Sequence, residues 1–397
     1  MTSPTRLRLT VAAWFLVMLG NVLHVARRPQ DWSLDLRVYR AGGEAWLRDL
    51  PVYADHFATS FGGPDLPFTY PPIAVALFSA VALVPLQVAI VGIAVVNVLA
   101  LSAICLIAAV RVHGRNERAV RWGLGVAAAV SVFDPLRETL WFGQINLILA
   151  VLVAVDCLLP RTWLPRGALI GLAAAIKLTP AVFVLVWVAR REWRPVLTAI
   201  GSFAALGLVG FAIMPSNARE FWLHALLDPG RVGRLTYTGN QSVRGVLARL
   251  GLEGNAQVVV WVLLALVLVA ITVHVCARSK DDVVNFLAVA VVGLLISPVS
   301  WGHHWVWIGP ALVVLTAVRG GPAFRAAALL VAAVFAVGPH WLFPNDNDVE
   351  RHWEWWQQVV GNAYVWCGLA FLVVLLVRAL RNRDREREPD LELPRPA

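Results

Sequence analysis

Apolar runs of about 15 to 25 residues recur from one end of the chain to the other, and each approaches the roughly 20 residues a helix needs to cross a hydrocarbon core. "TVAAWFLVMLGNVLHVA" (10 to 26) and "VVVWVLLALVLVAITVHVCA" (258 to 277) are two of them. In lipid every backbone N–H and C=O must be satisfied within the protein, which leaves helices or a closed barrel. The short alternating segments of a barrel are not evident. The chain of 397 residues is 59% hydrophobic and 15% charged, where a soluble protein carries about 25% charged residues. The sequence therefore predicts an all-α, multi-pass transmembrane protein with about 11 to 13 membrane helices. A net charge of +9 points to arginine in cytoplasmic loops, not to nucleic acid.

Those arginines orient the chain. Arg6 and Arg8 put the start in the cytoplasm, and the first apolar run reads as an uncleaved helix that delivers residues 26 to 70 to the outer face. "RVHGRNERAVR" (111 to 121), "LPRTWLPR" (159 to 166), "ARREWR" (189 to 194), "ARSK" (277 to 280) and "VRGGPAFR" (318 to 325) then read as cytoplasmic. Two stretches resist simple alternation. Residues 72 to 110 look like two spans split near Pro85, although their ends need opposite sides. Residues 167 to 189 look like one span with both flanks cytoplasmic; two half-helices that dip in and return would satisfy it. Residues 1 to 380 form one membrane domain, and 381 to 397 a charged cytoplasmic tail whose composition favours disorder. Cys105, Cys157, Cys276 and Cys367 share no metal-ligand spacing and read as buried thiols.

Polar groups inside or at the ends of apolar helices are the functional pointers in such a protein. Asp35, Arg37 and Arg40 follow the first helix; Tyr70 lies in "FTYPP"; Asp134, Arg137, Glu138, Gln144 and Asn146 lie in "DPLRETLWFGQIN"; Lys177 lies in "IKLTP"; Asn240 and Gln241 lie in "TGNQSVRG"; Trp301, His303 and His304 lie in "SPVSWGHHW". Each has a plainer reading. Tyr-Pro-Pro starts helices, Lys177 is able to snorkel, and Asp134 and Glu138 pair with Arg137. All but Lys177 nevertheless gather on the outer face. No phosphate-binding glycine loop of either common kind is present. The nearest approach to an Asp-x-Asp pair is Asp346 and Asp348, late and tryptophan-flanked. A sugar donor used on the outer face has to be carried by a lipid.

The order "DLRVYRAGG", "FTYPPIAVALFSAVALVPL", "WFGQINLILAVLVAVD", "GALIGLAAAIKLTPAVFVL", "GNQSVRG" and "SPVSWGHHWVW" resembles family 87 of the glycosyltransferases over residues 30 to 318. These are GT-C-type membrane enzymes of actinobacterial envelopes, and the likeness is to the PimE-like α-1,2-mannosyltransferases among them. The resemblance implies a GT-C-type fold with its active site on outer loops at the periplasmic face of the cell membrane. It implies a polyprenyl phosphate mannose donor and a glycolipid acceptor of the phosphatidylinositol mannoside or lipomannan type. Asp35 matches the catalytic aspartate, and the His303–His304 pair the region that meets the donor phosphate, with His304 favoured. Lys177, Arg37 and Arg40 are then expected at the phosphate. Tyr70, Gln144, Asn146, Asn240, Gln241 and Trp301 are expected around the substrates.

One carboxylate suffices for such a transfer. A base takes the acceptor hydroxyl's proton, and a phosphate leaves without needing an acid. No cofactor or metal is demanded. Expected partners are the polyprenyl phosphate sugar, the glycolipid and membrane lipids. Two rival readings remain: a related transferase for another lipid-linked sugar such as arabinofuranose, and a polytopic lipid or sugar transporter, for which inverted halves are not visible.

Overall fold

The computed structural model describes residues 3–387 apart from residue 346; Asp346 and residues 388–397 lie outside the described residues. The described chain is helical with no strand, a single isolated bridge between Asn240 and Trp301 excepted. Five helices are long and apolar enough to cross a membrane: Pro4–Arg27, Leu86–His113, Trp193–Ile213, Gly254–Arg278 and Ala363–Arg381. The last continues to Arg387, into the charged tail. Glu117–Val130 and Asp134–Phe142 together form a sixth candidate, bent by 73°. Pro135 stands in the first turn of the second piece, where its missing N–H does no harm. Six further apolar helices are 10–17 residues long.

Leu86–His113 is the centre. Half of its apolar window is buried, and it packs against Glu117–Val130, Asn146–Leu158 and Ile308–Ala317. The first helix, Trp193–Ile213 and Gly254–Arg278 bury far less and form the lipid-facing rim. Pro72–Ala82 has only 11 residues, about 16 Å of rise, so it does not cross. It pairs with Leu34–Leu47 instead. The Gln87 side chain bonds the Ala26 carbonyl at 2.8 Å, which puts the start of Leu86–His113 beside the end of the first helix. One short helix and one full crossing thus resolve the conflict at 72 to 110.

The segment 167–189 is a hairpin of half-helices, Ala168–Ile176 and a second piece from Thr179 to Arg190. Asp156, near the end of Asn146–Leu158, accepts from the N–H groups of Gly167 and Ile170 at 2.9 Å each, capping the first half. Lys177, at the break, reaches Asn146 at the other end of that helix. Its backbone is extended (φ −147°, ψ 127°) and Pro180 follows, so the helix cannot continue. Arg190 closes the return by pairing with Asp282, which also takes Arg111. Three of the arginine loops therefore meet at one end of the bundle, opposite Lys177.

Candidate active site

Asp35 lies in the first turn of Leu34–Leu47, and Tyr39 follows one turn later on the same face. The Tyr39 hydroxyl hydrogen-bonds the Tyr70 hydroxyl at 2.7 Å and donates to Gln144 Oε1 at 3.1 Å. The Gln144 amide N–H in turn serves the Asp35 carboxylate. Gln144 reaches this position because Gly143 ends the helix Asp134–Phe142 in a left-handed turn (φ +69°). A side chain at Gly143 would also place its Cβ 2.7 Å from that of Leu36, so both torsion and space require glycine.

Lys177 is the hub. Its Nζ donates to Asn146 Oδ1 at 2.9 Å, lies 3.3 Å from His304 Nε2 and reaches the Tyr70 hydroxyl at 3.5 Å. Asn146 uses its amide N–H on the His303 carbonyl at 3.1 Å, joined there by the Thr139 hydroxyl. This holds the Gly302–His304 turn against the bundle. His304 Nδ1 accepts from the Trp301 N–H at 3.2 Å, so Nε2 is the nitrogen facing the site.

Burial pushes the Asp35 carboxyl up to about 6, while the Gln144 bond and the Lys177 charge hold it down. Asp35 is thus ionised at neutral pH and more basic than a free aspartate. Burial and the neighbouring Lys177 charge push both histidine rings well below the usual range. His304 is neutral at neutral pH and offers an N–H, not the positive charge expected of it. Lys177 is the cation in this cluster.

The structure brings Asp35, Tyr70, Gln144, Asn146, Lys177 and His304 together. Its geometry gives the other expected residues different surroundings. Arg37 pairs with Asp31 at 2.6 Å and donates to the Gly62 carbonyl at 2.5 Å. Arg40 caps Pro72–Ala82 through the carbonyls of Val81 and Val84. Neither guanidinium is directed to the cluster. His303 turns inward, its Nδ1 3.8 Å from Glu138. Asn240 and Gln241 are fully buried. Asn240 bonds the Leu235 and Pro298 carbonyls and the Ser300 N–H, and Gln241 bonds the Thr238 and Gly361 carbonyls. They clasp the loop that carries His304. Trp301 is half-buried at the rim, edge-on to Tyr237. Asp348 takes the Thr236 hydroxyl. Among the described residues no group of His, Cys, Asp and Glu is arranged to hold a metal. Tyr39 was not anticipated as a site residue, although its spacing from Asp35 carried the signal.

A cleft opens beside this cluster. Asn146, Ser300 and His304 stand at its polar end, and Leu149, Val153, Phe183, Leu294 and Trp307 line its apolar walls.

The sequence profile of glycosyltransferase family 87 matches residues 68–298, taking in Tyr70, Gln144, Asn146 and Lys177. The polyprenol-phosphate-mannose-dependent α-(1-2)-phosphatidylinositol mannoside mannosyltransferase of Mycolicibacterium smegmatis is 37% identical over 393 residues, covering 91% of this chain and 88% of that one. A second protein of that organism, the corresponding phosphatidylinositol pentamannoside mannosyltransferase, is 33% identical over 86% of this chain and 83% of its own. The crystal structure of ArnT from Cupriavidus metallidurans bound to undecaprenyl phosphate overlays on 94% of this chain and 78% of that one, with a TM-score of 0.44 and 16% identity. With more than half of its length in the family profile and relatives above 30% identity across nearly all of it, this chain belongs to glycosyltransferase family 87.

Proposed function

We propose that this glycosyltransferase moves mannose from polyprenyl phosphate mannose to a hydroxyl of a phosphatidylinositol mannoside-type glycolipid, forming an α-1,2 linkage on the outer face of the cell membrane. The observation that carries this reading is the convergence of Asp35, Gln144 and Lys177 on Asn146 and His304, which stand at the polar end of an apolar cleft. A polyprenyl phosphate has the matching form, an anion on an apolar chain. The printed activities of the relatives supply the sugar and the acceptor class. The convergence of Arg111 and Arg190 at the opposite end supports the outward orientation.

In this reading Asp35 takes the proton of the acceptor hydroxyl as its oxygen bonds to the anomeric carbon. The bond from that carbon to the phosphate oxygen breaks, and polyprenyl phosphate departs with the electron pair. Attack from the face opposite the phosphate inverts a β-linked donor to an α-linked product. Tyr39 and Gln144 orient the carboxylate. Lys177 meets the leaving charge, and the neutral His304 ring donates its Nε2–H to it, in a site with little water to compete. No second carboxylate is needed.

Purified protein in lipid nanodiscs, given radiolabelled polyprenyl phosphate mannose and a phosphatidylinositol mannoside, tests this. The expected product is an acceptor extended by one α-1,2-linked mannose. Transfer only from a polyprenyl phosphate arabinofuranose, or movement of intact glycolipid without a new linkage, would contradict it.

A further inference from the structure

With Arg37 and Arg40 engaged elsewhere, Lys177 is the one cation of the cluster, and a further guanidinium is buried in the loop that packs on Trp301. Arg231 sits in the short turn Pro229–Val232, which the Asp228 side chain closes by accepting the Gly230 N–H at 2.8 Å. Gly233 follows at φ +102°, where a Cβ would stand 3.3 Å from the Trp301 ring. The loop therefore packs at Gly233 against the ring of Trp301, the residue whose N–H holds His304. On its other side the Arg231 charge acts on Tyr53, whose hydroxyl donates to the Tyr70 carbonyl at 2.8 Å. Arg231 thus stands beside Tyr53, in a turn that packs against the Trp301 ring.

Among the described residues its guanidinium has no hydrogen-bond partner. The side chain is only 12% exposed, and Nε and Nη2 are buried without a partner. Among the described residues Asp55 is its one carboxylate within reach, at 3.6 Å, and that side chain is 90% exposed. Guanidinium carries five donors in a rigid fork and cannot shed its charge. Burying it unbonded is costly, and an anion that fills the fork removes the cost. Resting on the function proposed above, we infer that Arg231 is the second cation of the donor site. It grips the phosphoryl oxygens of the polyprenyl phosphate from the loop side, opposite Lys177 and His304.

The test reads binding of polyprenyl phosphate without sugar, by native mass spectrometry of the full-length protein, beside donor and acceptor kinetics. Arg231→Gln should weaken polyprenyl phosphate binding roughly ten- to a hundredfold, the loss of a charge-assisted contact. It should lower kcat/KM for the donor by a similar factor and leave the acceptor KM unchanged. Arg231→Lys should fall between, since it keeps the charge and loses the fork. Asp55→Ala should bind polyprenyl phosphate as wild type does. The inference is overturned if Arg231→Gln binds polyprenyl phosphate normally, if only its acceptor KM rises, or if Asp55→Ala reproduces its loss, which marks a structural ion pair. If wild type fails to transfer mannose yet binds polyprenyl phosphate in an Arg231-dependent way, the proposed function fails and this inference stands.

Discussion

Arg249 and Arg231 are both nearly buried arginines of the same loop region, and their surroundings could hardly differ more. Arg249 is 1% exposed. Its guanidinium donates to Asn362 Oδ1 and to the carbonyls of Thr236, Tyr237 and Asn240, at 2.9 to 3.2 Å where ordinary. Asn240 and Gln241, beside it, are likewise bonded to carbonyls and amides of neighbouring loops. Arg231 has none of this. The clasp and the mouth of the cleft thus use the same residue types to opposite ends. In the clasp the N–H donors of Arg249, Asn240 and Gln241 are filled from within, so they fix the Trp301–His304 turn. Elsewhere Asp35 and Lys177 carry charge, His304 turns Nε2 to the Lys177 cluster, and two Arg231 guanidinium nitrogens are buried without a partner. Partnering, more than residue type or position, separates the groups that build from those that act.

Two variants set the mouth against the clasp. The largest effect is expected at the mouth, where Asp35→Asn removes the base and keeps the shape. Turnover with both substrates saturating should fall about 10²–10⁴-fold, while polyprenyl phosphate binding and the unfolding temperature stay near wild type. Near-normal turnover would remove Asp35 from the chemistry. In the clasp the converse is expected. Arg249→Met leaves the Asn362 side chain and three carbonyls without their donor and should cost about 3–5 kcal/mol of stability. A lower unfolding temperature in detergent, with donor KM unchanged in the protein that remains folded, is the outcome that fits. A folded, stable Arg249→Met with impaired donor use would erase the distinction drawn above.

Smaller effects are expected at the leaving group. Lys177→Ala and His304→Ala should each weaken transition-state stabilisation by about 2.7–4 kcal/mol, read as a fall in donor kcat/KM at constant acceptor KM. They differ in one respect. Lys177→Arg restores a charge, whereas His304 is neutral and acts through its Nε2–H, so His304→Gln should recover more activity than His304→Lys. Wild-type donor kinetics with lost acceptor saturation in both alanine variants would move these residues to the acceptor side.

The bundle and the six converging residues were legible because their signals are physical and local. Apolar length marked the helices, arginines marked one end, and polar groups in apolar settings are costly enough to be informative. Asp35, Gln144, Asn146, Lys177 and His304 all carried such a signal. What the sequence did not carry was the partner of each polar group. Asn240 and Gln241 look like ligand-binding residues until the carbonyls they bond are known. Arg40 sits one helical turn or more from Asp35 in a suggestive motif, yet its nearest need is to cap the end of Pro72–Ala82. Tyr39 was readable from its i, i+4 spacing to Asp35. Arg231 was not, because "GRVGR" looks like any basic loop, and only the missing hydrogen bonds single it out.

The central claim is that Asp35 is the base, and the pH dependence of kcat/KM tests it most directly because it reports groups of the free enzyme. The folded carboxyl is raised to about 6, and the base must be ionised to accept a proton. Activity should therefore reach its plateau as pH rises through that value into the neutral range and decline about tenfold per unit below it. With both site histidines pushed well below the usual range, this limb is assigned to Asp35, and the residual activity of Asp35→Asn should lack it. A wild-type profile that stays flat to about pH 4.5, or an Asp35→Asn enzyme that keeps the same acid limb, would contradict the account.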